Sequence, residues 1–343
     1  MKKIFLAAVF FVFGVMFFDA VNAYAQEQTP DEDVEVGKIV KAEVKNKKII
    51  ITNDEGRKID YRIKGICYAP DIDGGSFCEN FKKDIPLIKK AGANSIRTYR
   101  PLGCYKDEYG NSFNSAGTKK ILDKCLEYGL TVTVGFSYED MAEDGLMYSY
   151  LKEFGDHPAI LMIALGNEYN YHYNEWFSKE EWFQRLKEAS ARLKKYLPGK
   201  IVATVHGEMP SAQEFKEYTK AGMDLIMMNM YRGSNFGFAS QHWYEISKNM
   251  PWVLGEFGRS SKDGSGHDTS KLQVSYLQTL IRNMEHGYLF SFSDDPAKGE
   301  GEISPVIGSE GSMGIYEHGR DPKTAVKVVK EEYEKITGSV SLN

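Results

Sequence analysis

Two glutamates each follow a short apolar run that has the composition of a buried strand. Glu168 comes shortly after Ile160–Leu165, and Glu256 comes shortly after Trp252–Leu254. Two carboxyl groups held roughly 5 to 5.5 Å apart can break a glycosidic bond with retention of configuration, one as nucleophile and one as acid and base. We therefore expect Glu256 to be the nucleophile and Glu168 the acid/base. The charge of the nucleophile would raise the pKa of its partner and keep it protonated until it is used.

Other polar side chains occupy similar positions. Arg97 could hold the nucleophile ionised, Tyr231 could donate a hydrogen bond to it, and Asn167 could bind the sugar 2-hydroxyl. Further candidate substrate-binding residues are Tyr68, Tyr171, Trp176, Trp243 and His206. Each of these side chains could instead belong to a core or a solvated loop, and either glutamate alone could be a helix N-terminal residue favoured by the helix dipole.

The elements that must position these residues alternate between apolar strands and amphipathic helices. The candidate strands are Ile63–Tyr68, Ser95–Tyr99, Thr131–Phe136, Ile160–Leu165, Ile201–Val205, Leu225–Met230, Trp252–Gly255 and Tyr288–Phe292. The candidate helices are Glu79–Ala91, Lys119–Tyr128, Lys179–Tyr196, Ala212–Ala221, Gln241–Asn249, Ser270–His286 and Pro322–Ile336.

Eight such units predict an α/β fold, a (β/α)8 barrel, and not a doubly wound sheet, because no glycine-rich phosphate turn follows the first strand. Active sites of these barrels lie at the C-terminal ends of the strands. The fourth and seventh strands lie on opposing arcs of the barrel, so Glu168 and Glu256 can face each other across its axis.

The N-terminal segment has the pattern of an export signal. Residues 1–25 begin with two lysines, continue with an apolar run shorter than the roughly 20 residues of a spanning helix, and end with small residues. We expect a signal peptide there, with no stable membrane insertion after its cleavage, then a disordered leader over residues 26–36. The catalytic barrel is expected over residues 37–337, with a hairpin around Asn53–Gly56 as its floor, and a tail over 338–343.

Composition narrows the possible partners. The formal net charge is −5 and no basic block longer than a Lys-Lys pair occurs in the mature chain, which argues against nucleic acid. Export permits disulfides, and Cys78 and Cys104, both in loop-like sequence, are the preferred pair. Cys67 and Cys125 have the surroundings of buried small residues. No His or Cys grouping predicts a metal site, and no cofactor is expected.

The sequence resembles the clan A retaining glycosidases with (β/α)8 barrels, which carry Asn-Glu after the fourth strand and Glu after the seventh. Asn167 and Glu168 match the clan's amide and acid/base, Glu256 matches its nucleophile, and Arg97 and Tyr231 match its strand 2 arginine and strand 6 tyrosine. The resemblance covers residues 40–337 and implies the two-carboxylate mechanism.

Two groups within the clan share local motifs with this chain. His157–Ile160 and Gly314–Lys323 are similar to family 2 catalytic barrels. Lys64–Pro70, Asp84–Lys90 and Ile96–Tyr99 are instead similar to β-1,3-glucanases and β-1,3-glucan transglycosylases. The clan often has a tryptophan at the end of the eighth strand, where this chain reads Leu-Phe-Ser-Phe-Ser over residues 289–293, which puts the usual floor of the sugar subsite in doubt.

These features predict a glycoside hydrolase or transglycosylase that acts on β-linked, β-glucan-like chains in the periplasm or outside the cell. Hydrolysis and transfer use the same carboxylates, so the sequence does not separate them. A non-catalytic carbohydrate-binding envelope protein is the alternative, although sugar binding alone does not need two closely placed carboxylates. The oligomeric state is left open.

Overall fold

A computed structural model describes residues 36–70, 77–106, 112–233, 236–299, 302–304, 306–336 and 340–342. The predicted signal peptide and nearly all of the predicted leader lie outside the described residues. The strands are β1 (Ile39–Lys45), β2 (Lys48–Asn53), β3 (Lys58–Asp60), β4 (Lys64–Cys67), β5 (Ser95–Arg97), β6 (Thr131–Phe136), β7 (Ile160–Leu165), β8 (Ile201–Gly207), β9 (Leu225–Asn229), β10 (Val253–Phe257), β11 (His286–Leu289), β12 (Glu302–Ser304), β13 (Gly308–Ser309) and β14 (Val340–Leu342).

The helices lie between and after the barrel strands. They are α1 (Phe77–Lys90), α2 (Ser115–Glu127), α3 (Leu146–Phe154), α4 (Lys179–Tyr196), α5 (Ala212–Lys220), α6 (Ala239–Ser247), α7 (Ser270–Asn283) and α8 (Thr324–Lys335). Strands β4 to β11 pair in parallel and in chain order, and β11 pairs with β4 to close the barrel. The predicted (β/α)8 barrel is therefore confirmed, and each barrel strand overlaps its predicted segment, although β11 begins and ends earlier than the predicted Tyr288–Phe292.

Helix α3 was not predicted, although its sequence contains the signal. Its buried residues are Met147, Tyr150, Leu151 and Phe154, which have the three- and four-residue spacing of one helix face. The helix is only nine residues long and has no side-chain hydrogen bond at its N-cap. Such a short helix depends on packing against the barrel more than on its own propensity.

Two helices begin where predicted because serine side chains cap them. Ser178 accepts a hydrogen bond from the backbone of Glu181, and the Glu181 side chain accepts one from the backbone of Ser178. Ser211 and Glu214 form the same reciprocal arrangement at the start of α5. Each capping box satisfies backbone donors that a helix end leaves open.

The predicted N-terminal hairpin is part of a sheet that contains more than two strands. Asn46 and Lys47, both with positive φ, form a two-residue turn. This turn divides the segment before the predicted Asn53–Gly56 turn into the antiparallel strands β1 and β2. The segment expected as a tail contains β14, which pairs antiparallel with β3. An open strand edge offers backbone groups that such a short segment can satisfy.

This sheet closes the N-terminal end of the barrel, as its predicted role of floor requires. The backbone N–H of Ile39 donates to Pro158 O at 3.1 Å, and that of Ala42 donates to Gly199 O at 2.8 Å. Pro158 and Gly199 stand just before β7 and β8. The opposite end of the barrel, where the strands finish, is left for the site.

A disulfide constrains that opposite end of the barrel. Cys78 at the start of α1 is bonded to Cys104, which follows β5, and this is the pair preferred from the sequence. Cys67 and Cys125 are buried and free. The bond therefore joins the first turn of α1 to the connection that follows β5.

Candidate active site

A cavity of about 790 Å³ lies at the C-terminal ends of the barrel strands. Glu168 and Glu256 both line it, and so do Asn167, Tyr231 and Tyr171. These five residues were predicted separately from sequence positions that lie up to 89 residues apart, from Asn167 to Glu256. The barrel brings them to one place because parallel strands all end on the same face.

Glu256, on β10, is 6% exposed and is held by hydrogen bonds to both of its oxygens. The hydroxyl of Tyr231 donates to Oε2 at 2.7 Å, and the hydroxyl of Tyr99 donates to Oε1 at 2.7 Å. Arg97 Nη1 donates to the same Oε1 at 3.1 Å. These donors stabilise the ionised carboxylate and fix its direction.

Arg97, on β5, lies beneath this carboxylate and is buried. Burial opposes its charge, but the negative neighbours, including Glu256, outweigh this effect and raise the pKa of the guanidinium. Arg97 also donates to the backbone oxygen of Gly255 at 2.7 Å and to Asn167 Oδ1. One fixed cation thus connects the two strand ends that carry the glutamates.

Glu168 has a different environment. Burial raises its pKa to about 7, with a further contribution from the negative charge of Glu256. The sequence predicted this direction but attributed it to the neighbouring charge, whereas burial is the larger cause. Glu168 also has a positive φ of 57°, which its backbone N–H maintains by donating to Val205 O on β8 at 3.0 Å.

Two residues of this network were not predicted. Tyr99 was read only as the end of a strand, yet its hydroxyl contacts Glu256. Asn229 ends β9, and its Nδ2 donates to Asn167 Oδ1 at 3.2 Å. The signal for Asn229 was present, since a polar side chain at a strand end is expected at the site. For Tyr99 the direction of the side chain depends on the backbone after β5 has ended, which spacing alone does not give.

Tyr68 and His206 were expected to bind substrate, but neither lines the cavity. Tyr68 is fully buried, and its hydroxyl donates to Asp84 Oδ2 at 3.1 Å. His206 Nδ1 is bonded to the backbone oxygen of Glu208 at 2.9 Å, and burial lowers the pKa of the ring. The structure therefore places both side chains between strands and helices, in the barrel wall and away from the cavity.

The two predicted tryptophan platforms are also outside the cavity. Trp243 lies on α6, where the sequence predicted a helix, is fully buried, and donates from Nε1 to Pro251 O at 3.1 Å. Trp176 is 63% exposed and is stacked on His172 with ring centroids 3.7 Å apart. Aromatic content alone therefore did not place these two tryptophans at the cavity.

The long connection after β11 forms another wall of the cavity. Phe290 lines it, so a phenylalanine ring is present where the clan often has tryptophan. Lys298 and Glu310 also line it and form an ion pair with each other. Asp295 adds a further carboxyl group to this wall.

Among the described residues, no group of three or more His, Cys, Asp or Glu side chains is arranged to hold a metal ion. Within the same part of the chain, no helix has the length and apolar character needed to cross a bilayer.

No family model matches the chain. Among curated proteins, it is 24% identical to the β-glucuronidases of Pongo abelii and Homo sapiens, over 74% of this chain and 40% of each relative. The chain thus spans about 40% of the length of these relatives. They are glycosidases, the class that the sequence predicted, but they are named for a uronide and not for a β-glucan.

Solved structures show the same fold. A family 2 β-galacturonidase from Eisenbergiella tayi is 20% identical in sequence and has a TM-score of 0.60. The match covers 88% of this chain and 55% of that protein. A β-D-glucuronidase from Dictyoglomus thermophilum is 18% identical in sequence and has a TM-score of 0.62. The match covers 86% of this chain and 54% of that protein. The similarity to family 2 catalytic barrels expected from the sequence is confirmed.

Proposed function

We propose that this protein is a glycosidase that cleaves β-linked glycosides by double displacement, with Glu256 as nucleophile and Glu168 as acid/base. The observation that carries the proposal is the contrast between two carboxyl groups in one cavity. Glu256 is surrounded by donors that stabilise its anion, and burial raises the pKa of Glu168 to about 7. When the surroundings of two neighbouring carboxyl groups move their pKa values apart, one group is ionised and the other is protonated.

In the first step, Glu256 attacks the anomeric carbon while Glu168 gives its proton to the departing oxygen. A covalent glycosyl ester forms, and the negative charge of Glu256 disappears. The pKa of Glu168 then falls because one of the causes that raised it is gone. Glu168 can therefore accept a proton from the incoming water or sugar hydroxyl in the second step.

Asn167 is proposed to bind the 2-hydroxyl of the sugar. Its Oδ1 already accepts hydrogen bonds from Arg97 and Asn229, so its amide nitrogen is the group that can donate to substrate. A hydrogen bond to the 2-hydroxyl strengthens as the transition state develops oxocarbenium character.

Two sugar classes fit different observations. A β-glucan-like chain fits the local motifs and the acidic lining of the cavity, in which Glu208, Asp295 and Glu310 accompany the catalytic pair. A β-uronide fits the names of the relatives and the presence of the cations Arg100 and Lys298 in the lining. Since Lys298 is paired with Glu310, a uronate would have to compete for it.

The test incubates the protein with glucose disaccharides linked β-1,2, β-1,3, β-1,4 and β-1,6, and with 4-nitrophenyl β-D-glucuronide and β-D-galacturonide. Products are identified by mass, and the anomer released first is identified by proton NMR. We expect the β-anomer to appear first and a 2-deoxy-2-fluoro glycosyl fluoride to label Glu256. Longer products would show transfer in addition to hydrolysis.

Glu256→Gln and Glu168→Gln are the matched variants, since they keep shape and remove only the ionisable group. Glu256→Gln should abolish turnover while thermal unfolding stays cooperative. Full activity in that folded variant would exclude the mechanism. Saturable sugar binding without product from the wild type would favour the alternative, a non-catalytic carbohydrate-binding protein.

We further propose that the protein is exported to a periplasm or beyond the cell. The disulfide between Cys78 and Cys104 supports this location, because such bonds persist in oxidising compartments. N-terminal sequencing of the mature protein should begin after residue 25, and an uncleaved cytoplasmic product would contradict the proposal.

A further inference from the structure

We propose that Tyr171 and Glu208 form the subsite for the leaving sugar, so that the enzyme prefers glycosides whose leaving group is itself a sugar. This inference rests on the proposed function, because it takes Glu168 as the proton donor. The proton donor must reach the glycosidic oxygen, which joins the cleaved sugar to its leaving group. The leaving sugar therefore begins at Glu168.

Tyr171 stands next to that position. It lies in the short 3-10 turn Tyr169–Tyr171, and its backbone N–H donates to the carbonyl oxygen of Glu168 at 3.0 Å. Glu168 and Glu208 line the same cavity as Tyr171. Partial burial raises the pKa of Tyr171, and so do the negative charges of these two glutamates. The residue lines the cavity and yet is 57% exposed.

Gly207 explains how the ring is held. A Cβ added at Gly207 would lie 2.2 Å from the Tyr171 ring, so the ring packs directly on this backbone. Asn170 fixes the contact: its Nδ2 donates to Gly207 O at 3.0 Å, and its Oδ1 accepts from Gly207 N at 2.7 Å. One part of the ring is thus supported by the end of β8, and the exposed part is available to the apolar C–H face of a sugar.

Glu208 supplies a fixed polar group beside this ring. Its carboxylate binds Arg232 through both oxygens, with N–O distances of 2.9 and 2.6 Å, and Glu208 Oε1 also accepts from Met209 N at 2.9 Å. The carboxylate lines the cavity and has further lone pairs for sugar hydroxyls. A supported ring beside a positioned carboxylate can bind a sugar at low cost in conformational entropy.

The same subsite would receive an acceptor sugar once the leaving sugar has departed. An acceptor held on Tyr171 would present a hydroxyl to Glu168, which then acts as base on that hydroxyl in place of water. The hydroxyl oxygen bonds to the anomeric carbon, its proton passes to Glu168, and the ester bond to Glu256 breaks. Transfer to sugars should therefore depend on Tyr171.

The test compares each glucose disaccharide of the panel with β-D-glucopyranosyl fluoride, whose leaving group occupies no sugar subsite. Tyr171→Ala should lower kcat/KM for the cleaved disaccharide roughly tenfold, which is the size expected for one lost stacking contact. It should leave kcat/KM for the fluoride unchanged and reduce the fraction of glucose transferred to added cellobiose. Tyr171→Phe should behave as the wild type.

Tyr196→Ala is the matched control, because Tyr196 is 66% exposed and lies at the end of α4 on the opposite face of the barrel. The subsite is overturned if Tyr171→Ala loses kcat/KM equally on both substrates or loses it on neither. It is also overturned if the wild type cleaves only the fluoride. If the wild type cleaves neither glucoside, the proposed function still stands when the nitrophenyl uronides are cleaved, and it fails when they are not. Calorimetric titration of both variants with laminaribiose then tests the subsite. If Tyr171→Ala and Tyr196→Ala bind laminaribiose with equal affinity, the subsite is overturned.

Discussion

At the residue scale, the proposed chemistry depends on the different surroundings of two identical side chains. Glu256 accepts hydrogen bonds from two tyrosine hydroxyls and one guanidinium. For Glu168, burial is the largest influence on the pKa. Both residues are glutamates after apolar strands in the sequence, so the distinct roles that we propose for them follow from what the fold places around them.

We expect kcat/KM to fall above about pH 7. Glu168 has a pKa of about 7 and must be protonated to act as the acid, so the active fraction decreases as pH rises through that value. The measurement is a pH profile of kcat/KM on a cleaved disaccharide.

Glu168→Gln provides the control for this profile. With the corresponding glycosyl fluoride, which needs no proton to leave, the variant should keep most of its kcat/KM and lose the alkaline decrease. An alkaline decrease that persists in the variant would assign the titration to another group.

Tyr99→Phe and Tyr231→Phe should each lower kcat/KM by roughly ten- to a hundredfold. Each removes one hydrogen bond to the Glu256 carboxylate, and hydrogen bonds to charged groups contribute about 1.5 to 3 kcal/mol. Tyr61→Phe is the control, since the Tyr61 hydroxyl bonds to Asn94 O at the floor of the barrel. It should cost stability and leave kcat/KM unchanged; an equal loss of activity in all three variants would contradict the assignment.

At the element scale, the site depends on how strand β7 ends. Gly166 has a φ of 73°, and a Cβ added there would lie 2.4 Å from the Trp182 ring of α4. The glycine lets the chain turn so that Asn167 and Glu168 enter the cavity while α4 packs closely behind them. Catalytic geometry and helix packing therefore share one backbone position.

Gly166→Ala should destabilise the fold by at least about 2 kcal/mol and reduce kcat/KM. The left-handed conformation costs an alanine about 1 to 2 kcal/mol, and overpacking against Trp182 adds to that. Gly129→Ala is the control: its φ is 61°, but the nearest atom is Lys89 Nζ at 3.7 Å. Urea unfolding and kinetics of both variants check the prediction, which fails if the two behave alike.

At the scale of the whole molecule, a disulfide and a set of backbone hydrogen bonds lie at opposite ends of the barrel. The N-terminal sheet covers the bottom through backbone hydrogen bonds to the segments before β7 and β8. The disulfide between Cys78 and Cys104 ties the first turn of α1 to the connection after β5, next to Phe77, which lines the cavity. The disulfide is therefore on the same face of the barrel as the cavity.

Replacing both Cys78 and Cys104 by serine should lower the free energy of unfolding by about 2 to 4 kcal/mol, because the bond closes a loop with a sequence separation of 26. Denaturant unfolding with and without a reducing agent measures this. The wild type should lose stability on reduction, and the double variant should not respond. A wild type that is equally stable in both conditions would contradict the prediction.

The sequence by itself determined the repeating strand and helix pattern, and through it the barrel and the meeting of Glu168 with Glu256. Hydrophobic periodicity is local, and parallel strands in a barrel necessarily end on one face. Asn167, Tyr231 and Arg97 were found in the same way, because each stands at a strand end.

Only the tertiary structure decided which aromatic side chains reach the cavity. Tyr68, Trp243 and Tyr171 all lie after or between strands in the sequence, but only Tyr171 lines the cavity, and Tyr99 was overlooked. The direction of a side chain beyond the end of a strand depends on loop backbone and on neighbours distant in sequence, such as Gly207 beneath Tyr171. Composition and spacing do not carry that information.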